Sequence, residues 1–258
     1  MISTKHNQTW EPHTPIEVEA AFDKFIESQG GIKISSVISP SPDFDNADYF
    51  LRSNSVVAEL KELQTELEKS QSYNKGLRLL LNRAWAESPD WRPGLLGGRG
   101  HQPAWFNHDY IKIFKPHISR ILKKANRQIR ETKQKFDITT NAGLLLFVND
   151  HFTHIPPQLT FSLICNLLQH SYSSIDCIVY FTVNRYVAIP GSKLANLIWM
   201  PAYSDKAEPW LCEFVNEFGA KWFENIQVKI GPFDESVQSD DSDFMNNASY
   251  IKHNLPRA

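Results

Sequence analysis

The sequence predicts an α/β fold in which helices flank one mixed β-sheet. Two apolar segments of strand length, residues 143–149 and 175–183, are separated by a helical pattern over residues 157–169. Strand–helix–strand alternation is typical of parallel strands joined by crossovers. Earlier in the chain, extended segments at residues 46–51 and 55–63 are joined by a short polar loop, which predicts an antiparallel hairpin. The predicted sheet therefore contains both strand directions.

The first element is a helix that begins near Thr14 and ends at Gly30-Gly31. Pro15 at the first helical position and Glu17 three residues after Thr14 are typical of a capped N-terminus. The other elements that we predict, in chain order, are a strand over residues 32–38, a helical and loop insertion over residues 64–114, a helix over residues 116–136, a helix over residues 207–223 and a strand over residues 226–230.

Composition indicates a globular protein. The 258 residues are 41% hydrophobic and 22% charged, which is enough apolar material for a full core. The net charge of −2 excludes a chain that is basic throughout and binds nucleic acid by bulk charge. Three scattered cysteines exclude a disulfide scaffold and a Cys-x-x-Cys zinc site.

The sequence contains no recognisable targeting signal, and this predicts a cytoplasmic location. No apolar stretch follows the N-terminal lysine, so we expect no signal peptide. The longest uncharged apolar run, residues 142–148, is far shorter than a membrane span. We therefore expect a cytoplasmic protein with no membrane partner.

The predicted hairpin brings three charged residues to one face of the sheet. A two-residue loop at its turn pairs residues whose numbers add up to 107, so Phe50 faces Val57 and Asp48 faces Glu59. Lys61 lies two residues beyond Glu59, and side chains on a strand alternate with a period of two. The sequence therefore predicts that Asp48, Glu59 and Lys61 are close together.

This arrangement calls for a cation between the two acids. Carboxylates directly opposite each other have Cβ atoms about 4.5–5.5 Å apart and repel. Lys61 is one candidate for the compensating cation, and a divalent metal ion is the other. Two carboxylates with several waters is a usual way to hold Mg²⁺, and a lysine beside the metal can orient or deprotonate the attacking water.

The pattern of Asp48, ten intervening residues and Glu59-Leu60-Lys61 in an apolar strand resembles the PD-(D/E)xK nuclease superfamily, which has the restriction-endonuclease-like fold. The usual core of that superfamily is helix, three strands, helix, strand, and this is the order predicted over roughly residues 14–185. The chain departs from the motif at Ala47, where the name of the superfamily has a proline.

The resemblance implies a metal-dependent phosphodiester hydrolase that acts on DNA. In this interpretation Asp48 and Glu59 are ligands of Mg²⁺ or Mn²⁺, the carbonyl of Leu60 adds a ligand, and Lys61 serves the attacking water. Residues 1–185 would be the nuclease-like core. Residues 186–258 would be a C-terminal extension packed on that core, with a mobile acidic tail after about residue 232.

The helix predicted over residues 116–136 supplies candidates for DNA contact. Seven of its residues are basic, and a basic face can follow a phosphate backbone, although a solvated helix surface explains the same pattern. From this helix we select Lys123, Lys124 and Arg127 for nucleic-acid binding. Gln128 joins them because the resemblance implies a polar residue of this helix near the site.

Two further questions stay open at the level of sequence. Glu17 and Glu19 on the first helix are candidates for an additional acidic ligand, but Glu17 is better explained as a capping residue. A non-catalytic module that binds nucleic acid or protein through the same fold is the alternative to a nuclease. Many nucleases of this type form homodimers, and the sequence is compatible with one without requiring it.

Overall fold

The computed structural model describes residues 2–6, 13–63, 70–93, 100–138, 141–153, 155–169, 172–239 and 242–251. Its α-helices are α1 (Val18–Ser28), α2 (Gln71–Glu87), α3 (Phe106–Lys135), α4 (Pro157–Leu168) and α5 (Pro209–Ile230). Its strands are β1 (Ile2–His6), β2 (Ile32–Lys33), β3 (Tyr49–Leu51), β4 (Val56–Glu62), β5 (Ala142–Val148), β6 (Cys177–Phe181), β7 (Val187–Ala188), β8 (Leu194–Tyr203), β9 (Glu235–Val237) and β10 (Ser249–Tyr250).

The strands form one mixed sheet, as the sequence predicts. The spatial order is β10-β7-β8-β6-β5-β4-β3-β2, and β1 pairs with both β8 and β9. Strands β4, β5 and β6 are parallel to one another, whereas β3 pairs antiparallel with β4 and β8 pairs antiparallel with β6. The α/β class with a mixed sheet flanked by helices is therefore confirmed.

Helices cover both faces of the sheet and enclose two apolar cores. Because side chains alternate along a strand, neighbouring residues of β4, β5 and β6 enter opposite cores. The face under α2, α3 and α4 receives Val57, Leu145, Phe147, Ile178 and Tyr180. The face under α1 and α5 receives Val56, Ala58, Leu144, Leu146 and Val179. Strands that are buried on both faces explain the continuous apolar runs in the sequence.

Helix α3 is longer than predicted because it begins at Phe106 and contains Pro116. Proline has no N–H and normally ends or kinks a helix. Here the turns before Pro116 are held by packing: Phe106, Tyr110 and Phe114 are buried and stack in sequence, with ring centroids 6.1 Å and 5.6 Å apart. The predicted start at residue 116 is therefore wrong, and part of the expected insertion belongs to this helix.

Two predicted strands are wrong in part or in whole. Residues 226–230 are the end of α5, where Trp222, Ile226 and Ile230 are buried at helical spacing. The strand predicted over residues 32–38 is limited to Ile32–Lys33 and is followed by a short 3₁₀ helix. In both segments the β-branched residues suggested extended chain, and tertiary packing selected a helical conformation.

The sheet continues into the region that we expected to be an extension, residues 186–258. Strand β8 pairs with β6 through contacts such as Tyr180 opposite Met200. Beyond residue 232, where we expected a mobile tail, β9 pairs with β1 and β10 pairs with β7. The Tyr250 hydroxyl is 2.5 Å from that of Tyr180 and accepts a hydrogen bond of 2.9 Å from the Asn149 amide, and these contacts hold β10 at the edge of the sheet.

Among the helices of the described ranges, none has the length and apolar character needed to cross a membrane.

Candidate active site

The hairpin formed by β3 and β4 has the predicted register. Phe50 lies opposite Val57 and Tyr49 lies opposite Ala58, so the paired numbers add up to 107. The predicted two-residue loop is wrong, because residues 52–54 form a 3₁₀ turn and Ser55 follows with a left-handed backbone at φ 52°. The wider loop keeps the same pairing sum, and Asp48 therefore reaches Glu59 as expected.

Beyond the pair of Tyr49 and Ala58, side chains replace the backbone ladder between the two strands. The backbone N–H of Asp48 donates a hydrogen bond of 3.1 Å to Oε2 of Glu59. The backbone N–H of Leu60 donates one of 2.8 Å to Oδ2 of Asp48. Each acid is thus bonded to the main chain of the opposite strand, and this holds the two carboxylates between the strands.

Lys61 provides the cation that the sequence predicts beside these acids. Its Nζ forms an ion pair with Oε1 of Glu59. Glu59 is fully buried and Lys61 is 8% exposed, although charged residues are rarely buried in this way unless paired. Asp48, Glu59 and Lys61 therefore form one compact charged site on the sheet face that α3 covers.

Burial is the main cause of the shifted pKa values of both acids. Burial raises the pKa of Glu59 to about 8, and the nearby charge of Asp48 adds to this effect while Lys61 opposes it. Burial also raises the pKa of Asp48, and the N–H of Leu60 opposes that shift. When both acids are ionised, Lys61 balances only one of their two negative charges, and the remaining charge favours an added cation.

Helix α3 fixes the chain that leads to Asp48. The buried N–H of Ala47 donates a hydrogen bond of 2.7 Å to Oγ1 of Thr132. Nε2 of Gln128 donates one of 2.9 Å to the carbonyl of Asn46. On the other side of the chain, the carbonyl of Asp48 accepts a hydrogen bond from the N–H of Ile34. The position of Asp48 is thus set by a helix far away in sequence.

Gln128, which we selected for nucleic-acid contact, lies beside the site with its amide nitrogen bonded to Asn46. Its Oε1 atom is buried and has no hydrogen-bond partner in the part of the chain that the structure describes. The structure thus gives this side chain a contact that holds the chain before Asp48, and a contact with nucleic acid stays a prediction.

A second charged cluster lies beside the first, on the α1 side of the sheet. Lys33 forms ion pairs with Glu19 at 3.1 Å and with Asp23 at 2.7 Å, and Tyr49 donates a hydrogen bond to Asp23. The charge of Glu19 contributes to the raised pKa of Asp48. The prediction that Glu17 closes a capping box is wrong, because Glu17 occupies the N-cap position itself.

The lysines and arginines of α3 that follow Pro116 divide into two groups. Lys133 pairs with Asp176 at 3.3 Å and Lys135 pairs with Asp43 at 2.9 Å, so these two are bound to other parts of the protein. The others lie along a groove of about 530 Å³ that Tyr172 closes at one side. We call this group the basic stripe; it comprises Arg120, Lys123, Lys124, Arg127 and Arg130.

The basic stripe contains the predicted Lys123, Lys124 and Arg127 and reaches the candidate site at one end. Arg127 forms an ion pair with Asp45, three residues before Asp48. Within the described residues, no carboxylate forms an ion pair with Arg120 or Lys123, and both side chains are exposed. Two charges of the stripe are therefore available for an anionic partner.

No group of three or more His, Cys, Asp or Glu side chains in the described ranges is arranged to hold a metal ion. The two carboxylates of Asp48 and Glu59 are hard oxygen donors, and Mg²⁺ commonly binds to one or two carboxylates and keeps several waters. The donor set fits such an ion, and with both acids ionised the two carboxylates and one lysine leave a net negative charge for it to balance. Leu60 contributes its N–H to Asp48, and a role for its carbonyl as a ligand stays a prediction.

Sequence reasoning missed one feature near the basic stripe, a cavity of about 790 Å³ at the start of β6 and the end of β8. Its lining comes from α4, from the turn before β6 and from the end of β8. Residues 199–203 form the end of β8. Because the lining residues are distant in sequence and carry no shared motif, only the tertiary structure brings them together.

The fold and the site define an α/β protein with a mixed sheet and a buried acid–acid–lysine cluster at a hairpin. No protein-family model, no curated protein and no solved structure matches this chain. The resemblance to the PD-(D/E)xK superfamily therefore depends on the residues of the motif and on the order of the elements.

Proposed function

We propose that the protein is a nuclease that uses Mg²⁺ or Mn²⁺ to hydrolyse phosphodiester bonds in DNA. The observation that carries this proposal is the buried cluster in which Asp48 and Glu59 are bonded across two strands and Lys61 is paired with Glu59. A purely structural ion pair needs one acid for one lysine, whereas here a second acid, the half-buried Asp48, lies beside the buried Glu59 and its charge raises the pKa of Glu59.

Each residue of the cluster has a distinct part in the proposed reaction. Asp48 and Glu59 would hold the metal ion, which would polarise the phosphate and lower the pKa of a bound water. Lys61, which pairs with Glu59, would orient the attacking water through its ammonium group. The oxygen of water attacks phosphorus, and the bond from phosphorus to the leaving sugar oxygen breaks, which leaves one phosphate end and one hydroxyl end.

The basic stripe supports a polyanionic substrate. It lies on α3, the helix that also fixes the chain before Asp48, so a phosphate backbone bound along the stripe would be directed toward the cluster. Cleavage of both strands of a duplex would require a second active site, and a homodimer would provide it.

A cleavage assay tests this proposal. Purified protein is incubated with labelled linear, circular and single-stranded DNA in Mg²⁺, in Mn²⁺ or in EDTA. The variant is Glu59→Gln/Lys61→Ala, and the matched control is Glu217→Gln/Lys221→Ala, which removes an exposed ion pair of 2.7 Å on α5. We expect metal-dependent cleavage that the first variant loses and the control keeps. Equal cleavage by the two variants would refute the assignment.

The second candidate function is a binding module without catalysis. One observation favours it: both oxygens of Glu59 already contact protein groups, Lys61 and the N–H of Asp48. If these contacts are purely structural, neither Mg²⁺ nor Mn²⁺ will raise the melting temperature, since only a ligand of the folded state stabilises it. A metal-dependent rise that requires Glu59 would favour the nuclease.

A further inference from the structure

The large cavity near α3 has the size and lining of a ligand site. Its volume of about 790 Å³ is within the range of pockets that bind small molecules. Leu168, Ile175 and Ala202 give it apolar walls, and its polar lining residues include Gln169, Ser173, Asp176 and Ser204. Apolar walls with both donors and acceptors suit a planar heterocycle that bears polar edges. We call this space the Tyr172 cavity.

Tyr172 connects the cavity to the basic stripe, because this residue lines both the cavity and the groove. The Tyr172 hydroxyl donates a hydrogen bond of 3.0 Å to the carbonyl of Ser119 on α3. Two residues later, the N–H of Ser174 donates one of 2.9 Å to the Asn126 side chain. The wall shared by the groove and the cavity is therefore attached to the helix that carries the stripe.

The stripe lies between the candidate active site and the Tyr172 cavity. On one flank of α3, Arg127 and Thr132 bond to residues 45 and 47, which lead to the acids. On the other flank, Ser119 and Asn126 bond to residues 172 and 174, which border the cavity. A linear polyanion that crosses α3 along the basic stripe would thus reach from the candidate active site to the Tyr172 cavity.

We propose that a single-stranded polynucleotide crosses α3 with its phosphates on the basic stripe and inserts one base into the Tyr172 cavity. This subsite rests on the proposed function, since it describes how the substrate of that site is held. The bases of a single strand are free to leave the stack, whereas a duplex must first break a pair and its stacking. A cavity beside a phosphate-binding groove therefore favours the single strand.

The three cysteines of the chain allow a direct footprint of the cavity. Cys165 lines the Tyr172 cavity and is partly exposed, Cys212 is partly exposed and is not among the lining residues, and Cys177 is buried. Burial raises the pKa of the Cys165 thiol to about 11, so its alkylation by N-ethylmaleimide is slow and can be followed by mass spectrometry.

The footprint uses the full-length Asp48→Asn protein in EDTA, with an eight-nucleotide oligodeoxynucleotide as the probe. We expect the bound strand to slow alkylation of Cys165 about tenfold, because its base occupies the cavity, and to leave Cys212 unchanged. Inorganic polyphosphate, which has the charge without the bases, should leave both thiols unprotected. The proposal would be overturned if polyphosphate or a blunt duplex of the same sequence protected Cys165 as well as the oligodeoxynucleotide does. It would also be overturned if the oligodeoxynucleotide gave no protection.

Binding measured by fluorescence anisotropy provides the second readout. Arg120→Gln/Lys123→Gln removes two charges of the stripe and should weaken binding of the labelled strand about tenfold. Ser173→Trp fills the cavity and should weaken binding about fivefold and abolish the footprint on Cys165. Lys193→Gln/Lys229→Gln and Ser192→Trp are the matched controls, at exposed positions outside both features. If Ser173→Trp does not fold, Ser204→Trp fills the cavity from another wall.

The two proposals fail in different ways. If the strand protects Cys165 and the cavity variants weaken binding, but no DNA is cleaved in any metal, the subsite stands and the nuclease assignment falls. If DNA is cleaved in a Glu59-dependent manner and the cavity variants bind the strand like the controls, the nuclease stands and the base subsite is refuted.

Discussion

Asp48 and Glu59 each bond to the main chain of the other's strand: Glu59 accepts from the N–H of Asp48, and Asp48 accepts from the N–H of Leu60, the residue after Glu59. These two bonds stand where the backbone ladder between β3 and β4 would otherwise continue. They hold a half-buried acid against a fully buried one, which is unfavourable for stability alone when both are ionised. Such an arrangement is typical of a site in which charge serves chemistry.

Loss of either acid is expected to abolish cleavage. Asp48→Asn and Glu59→Gln each remove one negative charge with little change in size, and we expect a decrease in kcat/KM of at least about 100-fold. The matched control is Asp43→Asn, which neutralises an acid that is 80% exposed and paired with Lys135. Initial rates on one labelled substrate measure the effect, and an Asp48→Asn protein as active as Asp43→Asn would contradict the proposal.

Lys61→Met is expected to destabilise the protein at a pH where Glu59 is charged. At about pH 8.5 the change leaves a buried carboxylate without its cation, and breaking such a pair costs about 3 kcal/mol. Lys221→Met breaks an exposed pair and should cost less than about 1 kcal/mol.

Urea denaturation measures the stability of Lys61→Met and Lys221→Met. The double variant Glu59→Gln/Lys61→Met is measured in the same way. The double variant should regain part of the lost stability, since neither buried charge remains. If Lys61→Met costs no more than Lys221→Met, the pair at Glu59 contributes little.

Stability of the metal-free protein is expected to fall as the pH rises through the range in which Glu59 titrates. The folded-state pKa of Glu59 is about 8, well above the ordinary value of 4.5, so the folded protein keeps a proton that the unfolded chain loses. The contribution of this group is therefore complete below about pH 4.5 and is lost as the pH rises toward 8. The difference in unfolding free energy between wild type and Glu59→Gln, measured by urea titration in EDTA at several pH values, should follow this trend. A difference independent of pH would exclude a raised pKa.

Addition of Mg²⁺ is expected to stabilise the protein, and more strongly at higher pH. Metal and proton compete for Glu59, so the apparent affinity rises until the carboxyl group is ionised at about pH 8. At a free concentration 100 times Kd, the gain is about 2.7 kcal/mol. Thermal unfolding with and without Mg²⁺ at two pH values measures this, with Glu59→Gln as the control that should show no gain. A gain that persists in Glu59→Gln would place the ion elsewhere.

Thr132→Val is expected to lower both stability and activity. The change leaves the buried N–H of Ala47 without an acceptor, at a cost of about 1–3 kcal/mol. Because Ala47 precedes Asp48, we expect a lower kcat as well. Thr132→Ser keeps the hydroxyl and should retain most of both properties. A serine variant as impaired as the valine variant would show that packing, rather than the hydrogen bond, is what matters at this position.

The sequence alone determined the α/β class, the mixed sheet and the pairing of Asp48 with Glu59. These features follow from local rules: apolar runs separated by helical periodicity predict the alternation of elements, and alternation along β4 places Glu59 and Lys61 on one face. The register of the hairpin was predictable for the same reason, even though its turn is longer than expected.

Only the tertiary structure decided the features that depend on distant contacts. Helix α3 continues through Pro116 because buried aromatic rings hold its first turns, and residues 226–230 are helical because they pack under the sheet. Gln128 and Thr132 hold the chain before Asp48, and Tyr172 joins a basic groove to a cavity, through contacts between segments 40 or more residues apart. Such contacts leave no periodic pattern in the chain, since they are selected by packing rather than by neighbouring residues.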